Sequence, residues 1–190
     1  MKLTERALGI VGSPRRGGNT EVLVDEILSG AAEAGAEVEK VILSELDIAP
    51  CDACLACEET GQCTIGDDMD ALFERMARSN VWVLGTPVFW WGPSAQFKQF
   101  IDRWYAKIHR AQDKALFEGR RVILAIPMGD SDPETARHIV GMMTDALHYV
   151  GATFDATVLA AGVNDPGQVR HDAQVMAKAR DAGRRAAGGA

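Results

Sequence analysis

All four cysteines of the chain fall between Cys51 and Cys63. Cys51, Cys54 and Cys57 are spaced CxxCxxC, and Cys63 follows after five residues, in a stretch that also holds Pro50, Gly61 and Gly66. Four thiolates at such short spacing are ligands for an iron–sulfur cube or for zinc. The first three positions match the compact run of ferredoxins, while the last interval is longer. In a reducing compartment such a cluster reads as metal or redox chemistry, or as a reduced-thiol loop that shapes a pocket, rather than as a disulfide framework. His109, His138, His148 and His171 are scattered and define no second metal site.

A second chemical segment is Gly12-Ser13-Pro14-Arg15-Arg16-Gly17-Gly18-Asn19-Thr20. It lies between an apolar run and a helical pattern, so free backbone N–H groups gather at a helix N-terminus, where the dipole favours an anion. Gly18 allows close backbone approach, Ser13, Asn19 and Thr20 supply hydrogen bonds, and Arg15 can pair with two phosphate oxygens. A monophosphate suits this loop. Gly17 is followed by Gly18 and Asn19, so the lysine of a Walker A loop is missing, and Gly9 and Gly12 do not make a GxGxxG fingerprint. The competing explanation is a glycine-rich turn with exposed arginines.

The third segment, Thr86-Pro87-Val88-Phe89-Trp90-Trp91-Gly92-Pro93-Ser94, places three aromatics in a row within an irregular path. Aromatic rings suit a flat cofactor, and a backbone bent by proline and glycine can present N–H groups to polar ring atoms; flavin meets both conditions. Filling a core or an oligomer interface is the alternative use of Phe89, Trp90 and Trp91. Met128-Gly129-Asp130, following Ile126 and Pro127, offers a second wall.

Short β-branched runs alternate with segments of helical period, which predicts strand–helix–strand units and a parallel sheet covered on both faces. The strands are expected at residues 7–12, 38–43, 81–86, 122–126 and 154–160, and the helices at 20–34, 69–79, 94–110, 133–150 and 165–187. Phe97, Phe100, Ile101 and Trp104 form one apolar helix face suited to core packing, whereas the adjacent charges Asp102 and Arg103 read as a solvated face. Five alternating units predict an α/β, flavodoxin-like, doubly wound five-stranded parallel sheet of order 2-1-3-4-5. Ligands then belong outside the carboxyl ends of the strands, at the loops after the first, third and fourth.

The chain has 190 residues, about what one domain requires, so residues 1–190 are read as a single domain with a cysteine-rich loop at 50–66. Hydrophobic residues at 47% and charged ones at 25% are those of an ordinary globular chain. A formal charge of −7 gives no positive field for nucleic acid. The start, Met1 to Arg6, is not that of a signal peptide. The longest apolar run, Val81 to Trp91, is broken by Gly85 and Pro87, so neither export nor membrane insertion is expected, and the protein is placed in the cytoplasm. The Ala/Gly/Arg stretch 182–190 reads as a fraying helix end. Exposed aromatics and an apolar helix carrying Met142, Met143 and Leu147 predict a homodimer or homotetramer.

Gly12-Ser13-Pro14-Arg15 with Asn19-Thr20, Thr86-Pro87-Val88-Phe89-Trp90 with Ser94, and Phe100-Ile101-Asp102-Arg103 together resemble the NAD(P)H-dependent FMN reductases of the flavodoxin-like superfamily over roughly the first hundred residues. The resemblance implies that Ser13, Arg15, Asn19 and Thr20 hold the FMN phosphate and that Pro87 to Trp90 cradle the ring. The cysteines resemble the iron–sulfur flavoprotein branch, which implies a [4Fe-4S] cluster on Cys51, Cys54, Cys57 and Cys63. Similar cysteines before an Asp-Asp-Met such as Asp67-Asp68-Met69 also occur in reductases of the superfamily without a known cluster. The expected activity is transfer of a hydride from NAD(P)H to FMN and of electrons onward to a small-molecule or protein acceptor, with no obligatory side-chain acid or base. Two alternatives are an iron–sulfur flavoprotein electron carrier and a non-enzymatic flavin- or zinc-binding interaction module.

Overall fold

The structure, a computed structural model, describes residues 5–188. Met1 to Thr4, and the last two residues of the predicted fraying end, lie outside that range. The chain runs β1 (Arg6–Val11), α1 (Asn19–Glu33), β2 (Glu37–Ile42), α2 (Ala56–Thr60), α3 (Met69–Ala77), β3 (Val81–Gly85), α4 (Ala95–Asp102), α5 (Ala111–Lys114), β4 (Arg121–Pro127), α6 (Arg137–Val150), β5 (Thr153–Ala160) and α7 (Ala173–Gly188). The five strands form one parallel sheet in the order β2-β1-β3-β4-β5, with Ala7 paired to both Val38 and Val81. This is the flavodoxin-like order, and the two more polar strands, β2 and β5, are its edges.

Alternation along the strands divides the core in two. Leu8, Ile10, Trp82, Leu84, Val122 and Leu124 face one side, where Leu72, Met76, Phe97, Phe100, Met143 and Leu147 cover them. Ala7, Val11, Val81, Val83, Ile123 and Ala125 face the other, under α1 and α7. Those two helices approach so closely that a methyl group on Gly30 would enter the α7 backbone at Arg180, and one on Gly183 the α1 backbone at Ile27. Ala179, Ala182 and Ala186 keep the rest of that seam narrow, and Arg180 closes it by pairing with Glu26 at 2.7 Å and with Glu33.

Three predicted helices are shorter than their periodicity. The helix expected over 94–110 ends at Asp102 and tightens into a 3-10 turn, Arg103–Lys107. There the Arg103 side chain turns into the protein, 2% exposed, instead of lying on a solvated face; Asp102 stays outside with Lys98. The helix expected from residue 133 opens as a 3-10 turn, Pro133–Ala136, capped by Asp132 accepting from the Glu134 amide at 3.0 Å. The last one starts at Ala173, because Asp172 accepts from the amides of Gln174 and Val175 as an N-cap, leaving 161–172 as a loop with one 3-10 turn. Met143 and Leu147 point into this chain's own core, so of the three residues read as the apolar contact face only Met142 is partly exposed.

Candidate active site

Four loops meet at the carboxyl ends of the strands and enclose a cavity of about 260 Å³. Ser13, Pro14, Arg15, Gly18, Asn19 and Thr20 come from the loop after β1, and Pro87, Val88 and Phe89 from the loop after β3. Pro127, Met128 and Gly129 close β4, and Val163 and Asn164 follow β5. A roomier depression of about 580 Å³ lies near Ala77 and Arg120, just ahead of β4, away from the edge where open sheets bind ligands.

The β1 loop is pinned from both sides. Gly12 donates to the Gly85 carbonyl at 2.7 Å, and the buried Ser94 hydroxyl donates to the Gly12 carbonyl at 2.5 Å while capping α4 at the Phe97 amide. The Ser94 amide donates in turn to Thr86 Oγ1 at 3.0 Å. Gly18, the N-cap of α1, has no side chain to satisfy the first-turn amides. Those amides and the Thr20 hydroxyl stand at the cavity, with Arg15 at its rim, where Nη1 reaches the Asn164 carbonyl at 3.3 Å. Such a cradle fits a dianionic phosphate.

Glu21 in the same turn would repel an anion if it faced the cavity, but it is committed elsewhere. Burial raises its pKa, yet hydrogen bonds from Lys40 Nζ at 2.8 Å and the Gly17 amide at 2.7 Å outweigh that and hold the carboxyl below its ordinary value. The Asn19 side chain is likewise occupied. Its Nδ2 donates to the carbonyls of Val163 at 3.3 Å and Asp165 at 3.0 Å, and its Oδ1 accepts from the Val169 amide at 3.1 Å. Asn19 therefore fastens the loop after β5 to α1, and only its backbone amide is left for an anion.

Beyond Phe89 the aromatic loop leaves the cavity lining. Phe89 and Gly92 exchange hydrogen bonds of 2.8 and 3.0 Å around a two-residue turn, with Trp90 at φ 49° and Trp91 at φ 60°. Left-handed backbone at two tryptophans is strained. Trp90 is 90% exposed, so the turn thrusts its ring into solvent at the mouth of the site. Asp130 is also outside the lining: its carboxylate accepts from the Asp132 amide at 3.0 Å and the Thr135 hydroxyl at 2.8 Å, which lower its pKa. Val163 and Asn164 also line the cavity; they lie in the predicted loop between residues 160 and 165, after the fifth strand, where no ligand contact is expected.

Cys51, Cys54, Cys57 and Cys63 line a single separate cavity together with Arg103 and Tyr105. All four are free thiols, and burial pushes the Cys57 thiol up. The segment winds around them through left-handed turns at Ala53 and Leu55 and the short helix α2. Among the described residues no three histidine, cysteine or acidic side chains converge tightly enough for a single metal ion. The four thiols are spread around this one cavity. Glu58 accepts from the Tyr105 hydroxyl at 2.5 Å, and that bond is the main reason the phenol is pushed up to about 12.

Residues 6–163 match the family model of the NADPH-dependent FMN reductases, and the chain belongs to that family. It is an FMN-dependent oxidoreductase. Among curated relatives it is 40% identical over 151 residues to an iron–sulfur flavoprotein of Methanosarcina thermophila, covering 80% of this chain and 75% of that one. It is 43% identical over 98 residues to an iron–sulfur flavoprotein of Methanocaldococcus jannaschii, covering 52% of this chain and about half, 51%, of that relative. In fold it is similar to the NAD(P)H:quinone oxidoreductase from Methanothermobacter marburgensis, with a TM-score of 0.73 at 18% identity, over 95% of this chain and 96% of that one. No described helix is long and apolar enough to cross a membrane.

Proposed function

We propose that this chain takes reducing equivalents from NAD(P)H and passes them to a small-molecule or protein acceptor through FMN bound at the four-loop cavity. The observation that carries the reading is the convergence of an uncapped helix start, with Thr20 and Arg15, on the same cavity as Pro87, Val88, Phe89, Met128 and Gly129. FMN, when bound, supplies the hydride chemistry. The chain's own residues bind and orient: Ser13, Arg15, Thr20 and the Asn19 amide take the phosphate, with Gly18 leaving room for its approach, and the β3 and β4 loops take the ring. Trp90, Trp91 and Gly92 form a rim where nicotinamide and acceptor enter in turn, and Asp130 braces the β4 loop from behind. No side chain is required as acid or base.

A second reading is favoured by the cysteine cavity: a [4Fe-4S] cluster on Cys51, Cys54, Cys57 and Cys63 makes the chain an electron-carrying iron–sulfur flavoprotein, as two of its relatives are named. The chain is read as a single cytoplasmic domain, since four free thiols suit a reducing compartment. Its charge of −7 disfavours nucleic acid, and the exposed aromatic turn suits a homodimer or homotetramer.

The test is an absorption spectrum of protein purified without oxygen, with FMN, iron, sulfide and zinc counted per chain before and after NADPH. Flavin bands that bleach, without iron, support the simple reductase. Near-stoichiometric iron and sulfide beside FMN support the electron carrier. FMN or zinc without NADPH turnover overturns both in favour of an interaction module.

A further inference from the structure

The four cysteines do not stand alone in their cavity. Arg103, placed at the break after α4, has a side chain 1% exposed and faces an Asp67 side chain 4% exposed. Its Nη1 donates to Asp67 Oδ2 at 2.5 Å and to the Ala49 carbonyl at 3.0 Å. Its Nη2 donates to Asp67 Oδ1 at 3.2 Å and to Cys63 Sγ at 3.3 Å. Asp67 meanwhile accepts from the amides of Ala49 at 2.9 Å and Met69 at 3.0 Å. The remaining guanidinium donor, Nε, is buried without a partner. One buried cation thus touches the chain just before the first cysteine, the last cysteine, and the anchor that follows it.

We infer that Arg103 is a positioning residue for Cys63: with Asp67 it fixes both ends of the cysteine segment and directs an N–H at the Cys63 sulfur. Burying a guanidinium is costly unless it is paired, and a pair needing only Asp67 could form at the surface without that cost. Its reach to Cys63 is what interior placement adds. The fork geometry matters, because one guanidinium group makes two bonds to the carboxylate and one each to the carbonyl and the sulfur, while an ammonium has only three donors. For a sulfur that ligates a cluster, a donated N–H stabilises negative charge on the thiolate and so raises the cluster's reduction potential, while the fixed sulfur slows cluster loss. This inference rests on the cluster reading of the cysteines, and its test separates the two.

The experiment compares wild type with Arg103→Lys after anaerobic reconstitution with iron and sulfide, measuring FMN content, iron loss to a chelator, and cluster midpoint potential by spectroscopic titration. The expected result is unchanged FMN, iron loss about 10–100-fold faster, the range for lost outer-shell partners, and a more negative potential. Equal iron retention and equal potential overturn the inference. If the wild type takes up no iron, the cluster reading fails and the positioning role is read on the metal-free chain. Mass-mapped alkylation in alkaline buffer should then be several-fold faster at Cys63 alone in the variant, and an unchanged rate overturns the role. Should Arg103→Lys fail to fold, Cys63→Ala, which leaves the Asp67 pair intact, is read by nitrogen-labelled arginine NMR. Several-fold faster exchange of the Arg103 Nη hydrogens supports the contact, and unchanged exchange overturns it.

Discussion

The Ser94 hydroxyl donates to the Gly12 carbonyl at 2.5 Å across two loops that are 82 residues apart in sequence. Ser94 is fully buried and also caps α4, so Ser94→Ala removes a cap and leaves a buried carbonyl short of a donor. The expected cost is about 1–3 kcal/mol, seen as a lower urea midpoint at unchanged slope. A loss below 0.5 kcal/mol, the ordinary scale of surface changes, would show that the two loops hold together without it.

Arg15 stands at the rim of the cavity, where its guanidinium makes one hydrogen bond at 3.3 Å to a loop carbonyl. Arg15→Ala is expected to weaken FMN by about 1.5–3 kcal/mol, the range for hydrogen bonds to charged groups, while leaving the melting of the FMN-free chain nearly unchanged. Fluorescence titration with FMN checks this. Unchanged affinity would move the phosphate elsewhere.

Asn19 spends its side chain on three backbone groups of the segment after β5. In Asn19→Ala the Val169 amide loses its acceptor, so its hydrogen exchange should rise by an order of magnitude or more while amides in β3 stay protected. Retained protection at Val169 would mean that the segment is held from α7 alone.

Trp90 sits at φ 49° with little to pack against. Trp90→Gly should raise the melting stability of the FMN-free protein, by about 1 kcal/mol once the added freedom of unfolded glycine is set against the relieved strain. The same variant should bind FMN or a second copy of the chain more weakly, checked by titration and light scattering. Gain in stability with no loss in either would leave the strained turn without a function.

Glu21 has its pKa held below the ordinary 4.5 in the folded chain. As pH falls below that value the unfolded chain takes up the proton first, so the carboxylate's contribution is complete above it and disappears as pH falls through the lowered folded value. Urea unfolding followed from neutral to acid pH should show a falling limb that Glu21→Gln flattens. Identical limbs would place the acid sensitivity in other carboxylates.

Strand order and the two central loops were legible because buried parallel strands are written as short apolar runs, and glycine, proline and aromatic residues mark the turns between them. Which face Leu8, Ile10, Val81 and Val83 each take was not legible, because strands buried on both faces are apolar at every position. What periodicity could not show is where tertiary contacts cut a helix short. Arg103 reads as a surface charge beside Asp102, and only the carboxylate of Asp67, 36 residues earlier, explains why it turns inward. Asn19 reads as a ligand donor for the same reason, because its actual partners at Val163 and Val169 are more than 140 residues away. Val163 and Asn164 were missed because the loop after the fifth strand, at the sheet edge, carries neither the glycine-rich nor the aromatic signal that marks the loops after the first and third.

The seam between α1 and α7, narrowed by Gly30 and Gly183, gives the molecule an order of assembly. The helix that follows the β1 loop is synthesised well before the helix that covers its outer flank. During translation Ile27 and Ala31 face water until α7 arrives, so the nascent chain has to carry that uncovered surface while everything between the two helices is made. A cofactor reaching α1 before α7 has packed would find its cradle resting on half a foundation, so cofactor uptake should follow the docking of α7.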